Sequence, residues 1–319
     1  MGTGSKQRDD EKRPESEDGI PESLSLDEAT RIIGNETRIQ ILLELGKAWN
    51  EEQMITKHLS YSELKRRVDV RNSGRFNYHL EKLVGSFVDQ SEEGYHLNVP
   101  GRKFYWTIVS GTLTDRAGIE TIEIGQCPWC DGELVMDRHS GHSCRIICQD
   151  CEQKFFSIAF SPRGFEDRTP EDVIEAFYLK FHHYVAMLRE GLCPMCDGLV
   201  DAELTDSLDE FWGDDYWEEG YDSEVRTTFL CSTCNTFSYS DIPTVALTMP
   251  PVRRFFRDHD RDPRHCHDWD DVFIDAEQSV TLLDDDPIEV GISFELADER
   301  LDVHLGNDVR VINSQRHPL

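Results

Sequence analysis

Four Cys-x-x-Cys pairs constrain the middle of this chain more than any other feature of the sequence. The eight cysteines of these pairs are Cys127, Cys130, Cys148, Cys151, Cys193, Cys196, Cys231 and Cys234. Seventeen residues separate the first pair from the second, and 34 residues separate the third from the fourth. The first and third pairs both begin the sequence Cys-Pro-x-Cys-Asp-Gly, and this repeat argues against coincidence.

The spacing of these cysteines predicts two zinc ribbons, each with one structural Zn²⁺ ion. Four thiolates suit tetrahedral zinc, and a two-residue gap lets one tight turn supply two ligands. Because protein sulfur would fill all four positions, no position stays open for a catalytic water. The alternative is a redox-active dithiol switch, since cytosolic dithiols also serve that role.

Two further cysteines lie close to histidines. Cys144 is near His139 and His142, and Cys266 stands in the sequence His-Cys-His at 265–267. One hypothesis joins these segments in a third, sensory metal site whose occupancy would alter the affinity of the chain for its partner. The other interpretation makes Cys144 a small residue of a ribbon strand and 265–267 a polar loop.

The N-terminal third has the periodicity of a short helical domain. Apolar residues at three- and four-residue spacing predict two helices from Leu24, divided near Gly34-Asn35. The elements expected after them are helices at 61–68 and 75–84, strands at 87–90 and 95–98, and a helix at about 101–110. This order is typical of a winged helix-turn-helix, whose recognition helix enters the major groove of DNA.

The outer face of the helix at 75–84 is expected to read base edges and bind phosphates. The predicted DNA-binding residues are Arg71, Ser73, Arg75, Asn77, Tyr78, His79 and Lys82. Between Tyr61 and Gly85, six basic residues face three acidic ones, a local net charge of +3. Such a basic island predicts double-stranded DNA as the partner. The same helices can also form a winged helix that binds only protein.

The overall charge of the chain argues against DNA as the partner, unless the acidity is an adaptation to salt. The chain carries 33 Lys and Arg against 63 Asp and Glu, a net charge of −30. Its hydrophobic content of 38% and aromatic content of 10% argue against a disordered acidic chain. A folded protein this acidic suits a cytoplasm of molar salt, where the Debye length falls to about 3 Å. Met1 to Glu22 has no signal-peptide core, and no window suits a membrane span, so a cytoplasmic protein without a membrane partner is expected.

The sequence therefore predicts an α+β protein of several parts. The expected parts are a disordered arm (1–23), a winged helix-turn-helix (24–112), zinc ribbon 1 (113–166), a spacer helix (167–190), zinc ribbon 2 (191–241), and a helix with a small antiparallel β-meander (242–319). Thr169 and Pro170 suit the start of the spacer helix. Alternating apolar residues from Ile288 onward indicate the meander.

Three segments carry a family resemblance. RIIGNETRIQILLEL, YSELKRRVDVRNSGRFNYHLEKLVGSFV and EGYHLNVPGRKF resemble the arsenic-repressor-like winged-helix regulators of archaea, over about residues 24–110. The resemblance implies DNA binding as a homodimer, with Arg75, Asn77, Tyr78 and His79 in the recognition helix. The metal ligands of arsenic repressors are not evident, because this segment has no cysteine. The C-terminal half is similar to ribbon-containing extensions of such regulators in halophilic archaea.

These features together predict a sequence-specific transcription regulator. Its zinc-containing half would bind an effector, a transcription-machinery protein or a second copy. One alternative is a general factor resembling the alpha subunit of archaeal transcription factor E, although that family has one ribbon and this chain has two. Another is a ribbon-based protein-interaction adaptor. No Gly-rich phosphate loop, nucleophile elbow or His-Glu-x-x-His sequence is present, so we expect no enzyme.

Overall fold

The computed structural model describes residues 25–49, 58–114, 121–140, 143–206, 225–265, 267 and 270–319. The predicted disordered arm at 1–23 lies outside the described residues, as do His142 and Cys266 of the hypothesised sensory site. The chain divides into two compact units, Met1–Leu113 and Thr114–Leu319. Helices and antiparallel sheets occur in both, which confirms the predicted α+β class.

The first unit contains five helices and one hairpin among its described residues. They are α1 (Leu26–Ile33), α2 (Glu36–Trp49), α3 (Tyr61–Val68), α4 (Ser73–Glu81), β1 (Val88–Ser91), β2 (Gly94–Leu97) and α5 (Val99–Val109). Helix α4 begins two residues before the predicted start, because the Asn72 side chain accepts a hydrogen bond from the Arg75 amide and caps the helix at Ser73. Ser25, Ser60 and Asn98 cap α1, α3 and α5 in the same way.

Helix α2 is the centre of this unit. It contacts α1, α3, α4, α5 and β2. Gly46 lets α5 approach closely, since a Cβ atom there would lie 2.3 Å from the Tyr105 ring. The predicted inward residues of α4 and of the turn after it, Phe76, Leu80 and Leu83, are fully buried in the same core. The apolar stripe read from the sequence therefore fixes which side of α4 faces solvent.

The second unit combines three antiparallel sheets with four helices in its described part. Its elements are β3 (Ile122–Gln126), β4 (Glu133–Ser140), β5 (Ser143–Cys148), β6 (Lys154–Ala159), α6 (Pro170–Arg189), β7 (Val200–Thr205), β8 (Arg226–Cys231), β9 (Phe237–Ser240), α7 (Ile242–Leu247), α8 (Pro250–Asp258), α9 (Asp271–Gln278), β10 (Thr281–Asp285), β11 (Ile288–Leu296), β12 (Glu299–Leu305) and β13 (Val311–Pro318). The strands pair in the orders β3-β4-β5-β6, β7-β8-β9 and β10-β11-β12-β13.

Helix α6 connects the sheets of this unit. It begins with a capping box between Thr169 and Asp172, as its sequence predicts. On one side the Phe181 ring stacks on Phe156 of β6 at 3.8 Å between centroids. On another, the Tyr184 hydroxyl lies 3.0 Å from the Ser238 hydroxyl of β9. The buried residues of α6 belong to one hydrophobic core shared with all three sheets.

The C-terminal part has more elements than the sequence predicts. The predicted meander is confirmed, with alternating buried residues along β11 and β12. Strand β10 was not predicted, because all five of its residues are exposed and no apolar alternation marks it. Helix α7 was also missed, since its six residues are all buried and leave no amphipathic period. None of the described helices is both long and apolar enough to cross a membrane.

Buried His182 makes the second unit sensitive to acid. Burial, together with the charges of the nearby His267, His183 and Arg253, lowers the pKa of His182 to about 4. An unfolded histidine binds a proton below about pH 6.5, so unfolding takes up a proton between the two values. The free energy of unfolding should therefore fall by about 3 kcal/mol from pH 6.5 to pH 4.

Denaturant titrations of wild type and His182→Leu at a series of pH values measure this contribution. The variant should lose this part of the acid dependence, because leucine takes up no proton. His183→Leu, changed at the exposed neighbouring position of α6, is the matched control and should keep most of it, because burial is the largest cause of the shift. Equal pH dependence in wild type and His182→Leu would contradict the assignment.

Candidate metal centres and nucleic-acid interface

The structure brings the eight paired cysteines together in two clusters of four. The Sγ atoms of Cys127, Cys130, Cys148 and Cys151 all lie within 4.8 Å of one another, and so do those of Cys193, Cys196, Cys231 and Cys234. The first cluster joins the β3–β4 and β5–β6 turns. The second joins the α6–β7 segment to the β8–β9 turn. The predicted grouping of two four-cysteine clusters is confirmed.

One backbone geometry recurs in all four cysteine turns. The residue after the second cysteine of each pair adopts a left-handed conformation, with φ between 56° and 61°. These residues are Asp131, Glu152, Asp197 and Asn235. In three of the four turns the amide of this residue donates to the carbonyl of the first cysteine, as Asp131 does to Cys127 at 2.9 Å. Asp and Asn tolerate this conformation better than most residues, which explains three of the four positions.

The glycine of each Cys-Pro-x-Cys-Asp-Gly sequence permits close approach of the opposing turn. A Cβ atom on Gly132 would lie 2.3 Å from a carboxylate oxygen of Asp150. A Cβ atom on Gly198 would lie 2.5 Å from the hydroxyl of Thr233. Asp150 also accepts a hydrogen bond of 2.9 Å from the Glu133 amide, which holds the two turns of the first cluster together. The repeated sequence thus encodes the approach of two turns.

The sulfur spacing fits a tetrahedral metal ion such as zinc. In the first cluster Cys127 and Cys151 are 3.8 Å apart, and Cys130 and Cys148 are 3.5 Å apart. The corresponding distances in the second cluster are 3.7 Å and 3.6 Å. Zinc–sulfur bonds of about 2.3 Å in a tetrahedron place the sulfurs about 3.8 Å apart. A disulfide needs about 2.0 Å between sulfurs, and these cysteines are free thiols.

Hydrogen bonds lower the pKa of Cys148 in the first cluster and of Cys231 and Cys234 in the second. The hydroxyl of Thr236, 3.0 Å from the sulfur, and its amide lower the pKa of Cys234 to about 6. Burial raises the pKa of Cys148, but hydrogen bonds from the amides of Cys151 and Asp150 outweigh burial and bring it to about 7. A thiolate is the form that binds metal, so each site is suited to a cation.

Cys144 is a core residue of strand β5. Its side chain is fully buried, and burial raises the pKa of its thiol to about 11. Neither metal-ligand cluster found among the described residues includes it. The structure thus gives Cys144 the environment of a small apolar residue, and it offers the hypothesised sensory site no support within the described chain.

Helix α4 presents most, but not all, of the predicted DNA-binding residues to solvent. Arg71, Ser73, Arg75, Tyr78 and Lys82 are exposed, and Asn77 is half-buried. The expectation that His79 lies on the outer face is wrong, since its side chain is only 7% exposed. His79 follows Phe76 by three residues, so it falls on the inward stripe. Burial lowers the pKa of His79, and the charges of Arg38 and Arg75 lower it further.

The polar side chains of α3, α4 and the turn between them differ in whether they contact another residue of the protein. Arg71 and Arg75 form no ion pair with any residue that the structure describes. The Lys65 ammonium donates to the Ser73 hydroxyl at 2.6 Å. The Asn77 amide donates to the carboxylate of Glu81 at 2.6 Å. Arg71 and Arg75 are therefore the side chains most available to an anion.

The β1–β2 hairpin has an acidic tip. Glu92 and Glu93 are exposed at its turn, and Glu93 lies 2.9 Å from the Nδ1 atom of His58. Carboxylates repel phosphate groups at short range. The hairpin tip therefore adds no positive charge to the basic side chains of α3, α4 and the turn between them.

Two families match this chain. The family described as "Domain of unknown function (DUF7351)" matches residues 124–311, which include both cysteine clusters. The family described as "Domain of unknown function (DUF7347)" matches residues 26–108, which include the helices and hairpin of the first unit. No curated protein and no solved structure matches the chain.

Metal analysis of the purified chain tests the two clusters. We expect two zinc ions per chain, and one after Cys148→Ser, because a cluster with three sulfurs loses most of its affinity. Cys144→Ser is the matched control from the same strand and should keep two. Elemental analysis by mass spectrometry gives the counts. Two ions per chain in Cys148→Ser, or none in the wild type, would contradict the assignment.

Proposed function

Since this chain belongs to the family described as domain of unknown function (DUF7351), a description that assigns no activity, we propose its function from the geometry of its sites. We propose a sequence-specific DNA-binding transcription regulator that carries two structural zinc sites. The observation that carries this proposal is the exposed α4 surface, where Arg71 and Arg75 have no ionic partner among the described residues.

The proposed DNA-binding element of the first unit is a winged helix-turn-helix. Helices α3 and α4 are separated by a four-residue turn at 69–72, and a two-stranded hairpin follows. The α4 residues Phe76 and Leu80 are buried against the core, which leaves the opposite face of the helix for a partner. A major groove about 12 Å wide admits an α-helix presented in this way.

Within this element, the side chains take different roles. Arg75 and Tyr78 read base edges, because both are exposed on the outer face of α4 and a guanidinium pairs with guanine in a bidentate manner. Arg71 and Lys82 bind phosphates at the two ends of the helix. His79 receives no DNA contact, since it is buried. The hairpin receives none either, because its tip is acidic.

We infer that each four-cysteine cluster holds one zinc ion with a structural role. Cys127 and Cys193 are fully buried and belong to the core around α6, so metal binding and folding of the second unit are coupled. A structural zinc ion contributes about 10–16 kcal/mol to folding in small zinc modules. Sulfur fills all four positions, so the proposal assigns no catalytic step to either site.

The resemblance of residues 24–110 to archaeal arsenic-repressor-like regulators extends the proposal to a homodimer on a palindromic operator. A symmetric dimer binds two half-sites about 34–36 Å apart along the duplex. The net charge of −30 supports a working environment of molar salt, in which repulsion between acidic surfaces and DNA is screened. The basic α3–α4 surface then acts at short range.

Selection of duplexes from a random pool tests the proposal. Wild-type protein should enrich one symmetric sequence. The double variant Arg75→Ala, Tyr78→Ala should lose roughly 10- to 100-fold in preference for it, the value of one or two base contacts. Arg31→Ala is the control, since Arg31 is an exposed residue of α1 paired with Asp27.

Other outcomes identify other functions. Duplex binding without any enriched sequence, together with co-purification of RNA polymerase, would indicate a general transcription factor. No duplex binding at any salt concentration would indicate a protein-interaction adaptor.

Lys82→Ala should weaken binding to all sequences alike, because a phosphate contact carries no sequence information.

A further inference from the structure

A second basic surface lies in the second unit, around the C-terminal end of α6 and along α8. An open cleft of about 810 Å³ is lined there by five arginines. They are Arg189, Arg253, Arg257, Arg261 and Arg264. We call it the arginine cleft. Its lining carries only three acidic residues, Glu190, Asp260 and Asp262, in a chain with almost twice as many acidic as basic residues.

Two of the five arginines form ion pairs within the protein. Arg189 is almost buried; its Nε atom donates to the Thr248 hydroxyl at 2.8 Å, and its guanidinium lies 2.6 Å from Glu190. Arg264 forms a bidentate contact with Asp262, and these hydrogen bonds lower the pKa of Asp262 to about 2. These pairs use two of the three carboxylates.

The other three arginines have no ionic partner among the described residues. Arg253 and Arg257 are exposed one turn apart on α8, where Arg257 donates only to the backbone carbonyl of Arg253. Arg261 is exposed three residues after α8 ends at Asp258, and it follows Asp260, whose φ of 55° is left-handed. Like charges four residues apart destabilise a helix. No carboxylate of the described chain pairs with either arginine to offset the repulsion, so an external anion is the group that this arrangement suits.

The shape and chemistry of the cleft select the anion. A guanidinium matches the geometry of phosphate oxygens in a bidentate manner. The cleft is open and larger than one phosphate group, and no aromatic side chain lines it. Recognition of single strands relies on bases stacked on aromatic rings. An open arginine surface without rings instead suits the backbone of a duplex, whose phosphates follow one another along a strand.

We propose that the arginine cleft binds backbone phosphates of double-stranded DNA, through Arg253, Arg257 and Arg261. This inference rests on the proposed DNA-binding function, because it gives the second unit a contact with the same partner. The contact is sequence-independent. It adds affinity and salt dependence, whereas the α4 surface supplies the preference for one sequence.

The test is the salt dependence of duplex binding by the full chain. Each phosphate neutralised contributes about 0.9 to the slope of log affinity against log salt. The triple variant Arg253→Ala, Arg257→Ala, Arg261→Ala should therefore show a slope smaller by about 2.7. It should bind any duplex about 80-fold more weakly than wild type near 0.2 M potassium chloride, and about equally near 1 M.

Two further triple variants make the result specific. Arg168→Ala, Arg254→Ala, Arg310→Ala removes the same charge from exposed positions of the second unit outside the cleft, and it should leave the slope unchanged. Arg254 is the closest match, since it lies on α8 but pairs with Asp258. Replacing Arg253, Arg257 and Arg261 by lysine keeps the charge and should retain most of the slope.

The outcomes separate this inference from the proposed function. If the alanine triple variant keeps both the wild-type slope and the sequence preference, the proposed DNA contact of the arginine cleft is wrong. The proposed function as a sequence-specific regulator is then unaffected. If the slope falls in the variant but the protein prefers no sequence, the DNA contact of the cleft is supported and the proposed sequence-specific regulator is contradicted.

The second probe is inorganic tripolyphosphate, whose binding is measured by calorimetry. Cleft-dependent binding of tripolyphosphate without any duplex affinity would overturn the DNA contact and indicate a free phosphate-bearing ligand.

Discussion

The grouping of four cysteine sulfurs, formed twice in the second unit, is the constraint on which that unit depends. Each cluster joins two turns, and the left-handed residues and close glycines of those turns permit the approach of the sulfurs. Cys127, Cys148, Cys193 and Cys231 are buried in the same core as α6. The clusters, the helix and the meander are thus one cooperative structure, and a metal ion in either cluster would stabilise all of it.

Charge is the second organising feature, and it is distributed unevenly. The chain is strongly acidic, yet five exposed arginines without an ionic partner among the described residues lie at two places, the α3–α4 surface and the arginine cleft. Acidic side chains elsewhere suit molar salt, where long-range repulsion is screened within a few ångströms, about 3 Å at 1 M. Contacts at hydrogen-bond distance survive such screening better than long-range attraction does. The proposed DNA binding of such an acidic chain would therefore depend on local arginine contacts and not on the overall field of the protein.

The sequence predicted most of the elements whose pattern is periodic or whose ligands are spaced regularly. The spacing of the cysteine pairs predicted the two clusters. The apolar stripe of Phe76, Leu80 and Leu83 predicted which face of α4 is buried. Prediction from the sequence failed for elements in which buried and exposed residues do not alternate. Helix α7 is buried on every side and β10 is exposed throughout, so neither shows a period. His79 was misplaced because a polar residue at the edge of an apolar stripe can face either way. The arginine cleft assembles residues from α6 and from the α8 region, and only the fold brings them together.

The central claim is that the exposed face of α4 selects DNA sites in the cell. Genome-wide occupancy of the tagged protein at its native salt concentration tests that claim most directly, with an Arg75→Ala strain beside it. The account predicts a small number of sharp, palindromic sites in the wild type that disappear in the variant. Occupancy spread over most promoters, occupancy that survives the substitution, or no occupancy at all would contradict it.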